Sequence, residues 1–252
     1  MDKERKVLIQ YLYHSGFALE LEHYFVIFDY YESKSEKLPE NIKQSIKERI
    51  SSSKYPFVFA SHSHHDHFSP DIFRWKAYNP NITYVLSNDI KENSHCTKDN
   101  AEINCAYMGP YEKKEINNIC ISTYGSTDAG VSFALDIEGI RIFHAGDLNW
   151  WHWADESTEE ELKEAEHQFK SEVSRIEGKP IDIMFFPVDP RLGKHYWMGG
   201  AYMLETFRPS FFVPMHFAGD CYITEKFAKR MVHAGIPIAE IDFKGQIFEY
   251  IK

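Results

Sequence analysis

Residues 62–67 read HSHHDH, which places four histidines and one aspartate within six positions. Neutral imidazole and carboxylate groups are good ligands for zinc, iron and manganese. A buried polar side chain without a partner costs about 2–7 kcal/mol, and a bound metal ion offsets that cost. We therefore predict a metal centre here, with an exposed His-rich loop as the alternative. The expected ligands are His62, His64, Asp66 and His67, and His65 takes the spacer position.

Apolar runs in this chain repeatedly end in a residue that can bind metal. The run at 57–60 leads to His62, and three later runs behave in the same way. Those three lead to His144 and Asp147, to Asp189, and to His216. Sites in layered α/β folds commonly form outside the carboxyl ends of strands. The pattern therefore predicts that these strand ends contribute to one site.

Hydrophobic periodicity predicts the elements that position these residues. The predicted strands are 7–13, 17–21, 24–28, 57–60, 82–86, 131–137, 140–143, 181–188, 211–215 and 238–251. The predicted helices are 39–52, 157–176, 201–207 and 224–234. The first three strands are expected to form a β-meander, and Glu138–Gly139 is expected to turn a hairpin. Ser157 and Glu160 fit a capping box at the start of the second helix.

Composition sets limits on the class of protein. A chain of 252 residues fits one domain, and its net charge of −10 disfavours both a general nucleic-acid surface and an anionic membrane surface. The N-terminus is too polar for a signal peptide, and no run reaches the length of a membrane span. Four cysteines without a CxxC pair indicate a reduced, cytoplasmic protein. They are Cys96, Cys105, Cys120 and Cys221.

The order of these motifs resembles that of the metallo-β-lactamase-fold superfamily. The signature H-x-H-x-D-H at 62–67 is specific, and weaker motifs precede and follow it in the expected order. They are HSGF at 14–17, FD at 28–29, GD at 146–147 and VPMH at 213–216. The resemblance covers most of the chain and is closest to the L-ascorbate-6-phosphate lactonase branch. It implies a mixed α/β fold, a four-layer αββα sandwich spanning residues 1–252 as a single domain.

The resemblance also implies a set of ligands for two divalent metal ions. His62 and His64 would hold the first ion, Asp66, His67 and His216 would hold the second, and Asp147 would bridge the two ions. The family usually supplies a third histidine before the bridging aspartate, but residues 121–130 contain none. Asp128 could replace it, or could be a turn residue before Gly130. Zinc is the expected metal, manganese and iron are alternatives, and one ion instead of two stays open.

The implied activity is metal-dependent hydrolysis of a small-molecule lactone, ester, amide or phosphoester, with Asp66 and Asp147 as catalytic residues. The alternatives are a mononuclear iron oxygenase, a metal-dependent nuclease and a non-catalytic metal-binding protein. The diiron flavoprotein branch carries Glu at the position of His64 and a separate flavin domain, and this chain has neither.

Several further residues have two interpretations. Arg191, Lys194 and His195 could hold an anionic substrate, or could belong to a solvated loop. Trp150, in the segment NWWHW at 149–153, could wall a substrate pocket or pack in the core. His144 is expected beside the ligands or in the core, and His14 at the rim of the site. Four other histidines are expected at the surface or in packing: His23, His95, His167 and His233.

Overall fold

A computed structural model describes residues 4–32, 36–93 and 103–252. His95 and Cys96 lie outside the described residues. The chain divides into two compact units. The first unit is Met1–Gly109 with Phe243–Lys252, and the second unit is Pro110–Asp242. The single domain over 1–252 stays a prediction.

The first unit contains a seven-stranded sheet with the order β13-β1-β2-β3-β4-β5-β6. Its strands are β1 Lys6–Tyr13, β2 Gly16–Glu20, β3 Tyr24–Phe28, β4 Tyr55–Ala60, β5 Thr83–Ser87, β6 Cys105–Met108 and β13 Ile247–Ile251. The predicted meander is confirmed, because β1, β2 and β3 pair antiparallel. From β3 to β6 the strands pair in parallel, so the carboxyl ends of β3 and β4 lie side by side.

Helices of the first unit pack against this sheet through apolar side chains. Helix α1 spans Glu40–Ser52 and buries Ile42, Ile46 and Ile50, as the four-residue spacing predicts. A 3-10 helix follows at Pro70–Ala77, and α2 spans Asn88–Asn93. Ile72 and Trp75 of the 3-10 helix join the same apolar core as the α1 isoleucines.

The second unit contains a six-stranded sheet with the order β12-β11-β10-β9-β8-β7. Its strands are β7 Lys113–Ile116, β8 Ile119–Tyr124, β9 Ser132–Ile137, β10 Ile140–His144, β11 Ile183–Pro187 and β12 Phe211–Met215. The β9–β10 hairpin turns through Glu138 and Gly139, both with positive φ, as type I′ turns require. Because β10, β11 and β12 pair in parallel, their carboxyl ends share one sheet edge.

The α-helices of the second unit are α3 Glu159–Val173, α4 Met198–Phe207 and α5 Tyr222–Arg230, and 3-10 helices lie at Pro190–His195 and Val232–Ala234. The predicted capping box at Ser157 and Glu160 is wrong by one residue. Thr158 Oγ1 accepts the Glu161 N–H at 3.3 Å, and the Glu161 carboxylate accepts the Thr158 N–H at 2.8 Å. The Ser157 N–H instead donates to the carbonyl of Trp153. Ser157 therefore belongs to the preceding turn, and the helix begins after it.

One strand predicted from the sequence needs correction, and three strands were not predicted. The predicted strand 238–251 is a strand only at Ile247–Ile251; Ile238 makes an isolated bridge to Phe212, and Gly245 turns the chain with φ 91°. Strands β6, β7 and β8 are not among the predicted elements. Strand β7 reads KKEI with alternating exposed positions, so it carries too few apolar side chains to be detected. None of the described helices is long and apolar enough to cross a bilayer.

Candidate metal centre

In the first unit, the signature loop begins where β4 ends and brings its imidazoles together. His62 and His67 are fully buried, whereas His64 is exposed. His62 Nε2 lies 2.9 Å from His64 Nδ1, and the rings of His62 and His67 lie 4.1 Å apart between centroids. Two nitrogen ligands of a tetrahedral zinc ion are separated by about 3.3 Å, given zinc–nitrogen bonds of about 2.0–2.1 Å. The spacing of these imidazoles therefore suits a metal ion.

Asp29 anchors this loop from the end of the neighbouring strand β3. Its carboxylate accepts the Ser61 N–H at 2.7 Å and the Ser61 Oγ–H at 2.7 Å. The same carboxylate accepts a hydrogen bond from His67 Nδ1 at 2.8 Å. A proton held on Nδ1 makes Nε2 the metal-binding atom, which is the usual support for a histidine ligand. Sequence reasoning uses Asp29 only as part of a family motif and does not assign it this role.

Asp66 lies beside a histidine from the first hairpin. His14 Nε2 is 3.6 Å from Asp66 Oδ2, and the His14 ring is 5.3 Å from that of His67. His14 is buried and has φ 57°. In the first unit the structure therefore brings together all four signature residues, and it adds His14 to them.

In the second unit, residues at the ends of β10, β11 and β12 meet, as the strand-end pattern predicts. His216 Nε2 lies 3.3 Å from Asp147 Oδ1, and His216 Nδ1 lies 3.0 Å from Asp189 Oδ2. Burial by itself would lower the pKa of His216, but Asp147 and Asp189 together raise it to about 10. Two buried carboxylates thus create a pocket that favours positive charge, which is the electrostatic requirement of a cation site.

Arg191 supports Asp189 from the 3-10 helix that follows β11. Its Nε donates to both carboxylate oxygens of Asp189 at 3.0 Å. Burial raises the pKa of Asp189, but the hydrogen bonds from His216 and Arg191 outweigh it and hold that pKa below its usual value. The ionised Asp189 can therefore orient His216. The predicted substrate role of Arg191 stays a prediction.

The tryptophan segment contacts the ligand residues through Trp151. Its Nε1 donates to the carbonyl oxygen of Asp147 at 3.1 Å, and its ring lies 5.4 Å from that of His216. Trp150, the residue singled out from the sequence, stacks on Phe169 of α3 at 6.1 Å. The sequence could not separate these neighbours, because both follow the same aspartate.

The other predicted histidines are placed as follows. His144 is fully buried, and its Nδ1 accepts the N–H of Gly146 at 3.3 Å, so it supports the loop that carries Asp147. His195 lies 4.3 Å from His152 between ring centroids, and burial, His152 and Lys194 lower the pKa of His195.

Comparison with known proteins decides the family. The sequence profile described as "Beta-lactamase superfamily domain" matches residues 8–216. The chain belongs to the metallo-β-lactamase superfamily. The predicted fold class is confirmed as well, since a mixed α/β chain with two sheets and helices matches solved structures of this superfamily over nearly its whole length.

Three solved structures illustrate the match. Igni18, described as a metallo hydrolase from the archaeon Ignicoccus hospitalis, is 15% identical with a TM-score of 0.64, covering 97% of this chain and 98% of that chain. The metallo-β-lactamase fold protein YhfI from Bacillus subtilis is 10% identical with a TM-score of 0.65, covering 98% and 100%. CmlA from Streptomyces venezuelae, described as a diiron β-hydroxylase, is 8% identical with a TM-score of 0.59, covering 98% and 54%. Identities this low show the fold alone.

Asp128 occupies the stretch in which the superfamily usually has a third histidine. It is exposed, and its N–H donates to Ser126 Oγ at 3.2 Å, as a turn residue would. One of its carboxylate oxygens also lies within 4.8 Å of one from Asp147, close enough for both to bind one metal ion. The two interpretations of Asp128 are therefore compatible, and its role as a ligand stays a prediction.

Thr127 connects this turn to the loop of Asp147. Its Oγ1 donates to the carbonyl oxygen of Asn149 at 2.7 Å and accepts the Asn149 N–H at 2.9 Å.

The Thr127→Val substitution keeps the shape of the side chain and removes both hydrogen bonds. We expect metal affinity to fall about tenfold, as is typical when support for a ligand is lost. Titration against a coloured chelator measures this.

The matched control is Thr127→Ser, which keeps the hydroxyl group and should restore most of the affinity. Equal metal affinity in the valine variant and the wild-type protein would show that the hydroxyl does not position the Asp147 loop.

Proposed function

We propose that this protein is a metal-dependent hydrolase that uses a metal-activated water on a small-molecule substrate. One observation carries the proposal: each unit contains a buried histidine whose Nδ1 donates to a buried carboxylate, namely His67 with Asp29 and His216 with Asp189. In both His67 and His216, this hydrogen bond leaves Nε2 as the atom that can bind metal. Superfamily membership supports the proposal that these histidines are metal ligands.

We propose seven ligands for two divalent ions, with zinc first. They are His62, His64, Asp66, His67, Asp128, Asp147 and His216. When bound, such metal ions lower the pKa of a coordinated water and polarise the substrate oxygen. Asp29 and Asp189 hold the histidine rings in the required tautomer. Asp66, whose Oδ2 lies 3.6 Å from His14 Nε2, is proposed to orient the attacking water and to take up its proton.

The proposed substrate is a small anionic molecule with a lactone, ester, amide or phosphoester bond, as the resemblance to the ascorbate-phosphate lactonase branch supports. Lys194 and His195 lie in the 3-10 helix Pro190–His195 that follows β11, and they supply the groups that would bind an anion. Trp151 and Trp153 stack with centroids 5.9 Å apart and ring planes within 5°, which gives a flat apolar surface next to Asp147.

Removal of the metal tests the hydrolase proposal. Protein stripped with chelator should lose activity on a panel of lactones, aryl esters and phosphoesters by at least about a hundredfold, and zinc or manganese should restore it. Activity that survives complete removal of metal, as measured by elemental analysis, would contradict metal-dependent hydrolysis.

A second candidate is a mononuclear iron oxygenase. The absence of histidine from residues 121–130 favours it, because a weakened first site would leave one tightly held ion. Iron-loaded protein that consumes oxygen in the presence of substrate would support this alternative. Full activity of the zinc form without oxygen would reject it.

A further inference from the structure

A cleft in the first unit lies between α1 and the 3-10 helix at Pro70–Ala77, and none of the signature residues lines it. Its volume is about 440 Å³, within the range of about 300–1,000 Å³ that is usual for small-molecule sites. The proposed function assigns no role to this cleft.

Aromatic rings form part of the wall of the cleft. Trp75 is buried in the core, and its ring meets that of Tyr30 edge to face, with centroids 4.7 Å apart. Tyr78 is 40% exposed and lies opposite Lys47, whose Nζ is 6.0 Å from the ring centroid. Faces and edges of aromatic rings favour a planar ring as the ligand.

The charge around the cleft is positive, although the whole chain carries −10. Four cations line it against two carboxylates, and both carboxylates are engaged by cations. Glu32 pairs with Lys43 and accepts the N–H of Leu38 at 3.1 Å.

Asp71 pairs with Arg74 at 3.2 Å. Lys37 and Lys47 have no ion-pair partner among the residues that the structure describes. Within the described part of the chain, two ammonium groups therefore stand at the cleft outside any ion pair, which favours an anionic ligand.

We propose that this cleft binds a small planar anion, an aromatic ring carrying a carboxylate or similar acidic group. The ring lies against Trp75, Tyr30 and Tyr78, and the acidic group pairs with Lys37 and Lys47. This site goes beyond the proposed hydrolase activity and does not depend on it.

Naphthoate is a suitable probe, with uncharged naphthylmethanol and ring-free acetate as comparisons. Calorimetric titration of the full chain should show naphthoate binding, and both comparison compounds should bind at least about tenfold more weakly. Trp75 is the single tryptophan in the sequence of the first unit, so a shift of its indole N–H resonance locates the ligand.

The variant that tests the charges is Lys37→Gln/Lys47→Gln. It should bind naphthoate about tenfold more weakly, because two partly exposed charge contacts are lost. Lys54→Gln is the matched control, since Lys54 also lies over a tyrosine ring, that of Tyr55, at 4.9 Å.

Hydrolytic activity should be unchanged in both variants, which separates this proposal from the proposed function. Three results would overturn the proposal: no naphthoate binding, equal binding by the double variant, or equal binding of naphthylmethanol.

Discussion

The His64→Ala variant is expected to lose its bound metal and its hydrolytic activity together. His64 Nδ1 lies 2.9 Å from His62 Nε2, so the substitution removes one of two imidazoles spaced for a shared ion. Removing a residue that only supports a ligand costs about 10–100-fold in affinity, so removing a ligand should cost about a hundredfold or more. His64 is exposed, and the fold should tolerate alanine there. Elemental analysis and hydrolysis assays on the same preparation measure both losses.

His65→Ala is the matched control for that variant. His65 is the adjacent exposed histidine, predicted to be a spacer, and it meets the ring of Tyr31 edge to face at 5.9 Å. Metal content and activity should match those of the wild-type protein. A His64→Ala variant with intact metal content and full turnover would contradict the assignment of the signature as ligands.

The Asp29→Asn variant is expected to weaken metal binding by about 10–100-fold without removing any ligand. In the wild-type protein, Asp29 Oδ2 accepts hydrogen bonds from Ser61 Oγ and His67 Nδ1. An amide placed there donates a hydrogen bond to His67 Nδ1, which moves the ring proton to Nε2, the atom required for metal. Competition with a chelator of known affinity measures the effect.

Asp29→Asn should also reduce the free energy of unfolding by about 1–3 kcal/mol, because a buried hydrogen-bond network is disturbed. Asp182→Asn provides a control for that loss, since Asp182 is also buried and its carboxylate accepts the N–H of Arg141 at 2.7 Å. Urea unfolding should show similar destabilisation in both variants. If both bind metal as tightly as the wild-type protein, Asp29 does not orient His67.

Backbone strain marks residues of the candidate site in both units. His14, Asp29 and His216 have φ values of 57°, 42° and 65°, a region that residues with a side chain rarely adopt. Each such residue costs roughly 1–2 kcal/mol. Strain of this kind persists only where the surroundings hold it, and it concentrates at functional sites. The hydrogen bonds of Asp29 and of His216 are interactions that can hold it in place.

Local spacing was sufficient to predict the signature and several elements. The signature lies within six residues, α1 shows its apolar face through isoleucines four residues apart, and strand β12 ends at the residue before His216. These features depend on neighbours in sequence. The capping box shows the limit of such reasoning, because Ser157 and Thr158 both fit the pattern, and a hydrogen bond to Trp153 decides between them.

The supports of the ligands could not be predicted in this way. Asp29 is 38 residues from His67, and Asp189 is 27 residues from His216, so only the folded sheets bring these pairs together. The tandem tryptophans pose a similar problem, because Trp150 stacks on α3 while Trp151 contacts Asp147 and His216. Packing between residues far apart in sequence determines these roles.

The most direct test of the central claim is the metal content per chain, measured by elemental analysis of protein purified without chelator. A binuclear hydrolase with Asp128 in place of the missing histidine predicts two equivalents of zinc or manganese. No bound metal, with none taken up when zinc, manganese or iron is added, would contradict the assignment of a metal centre to this protein.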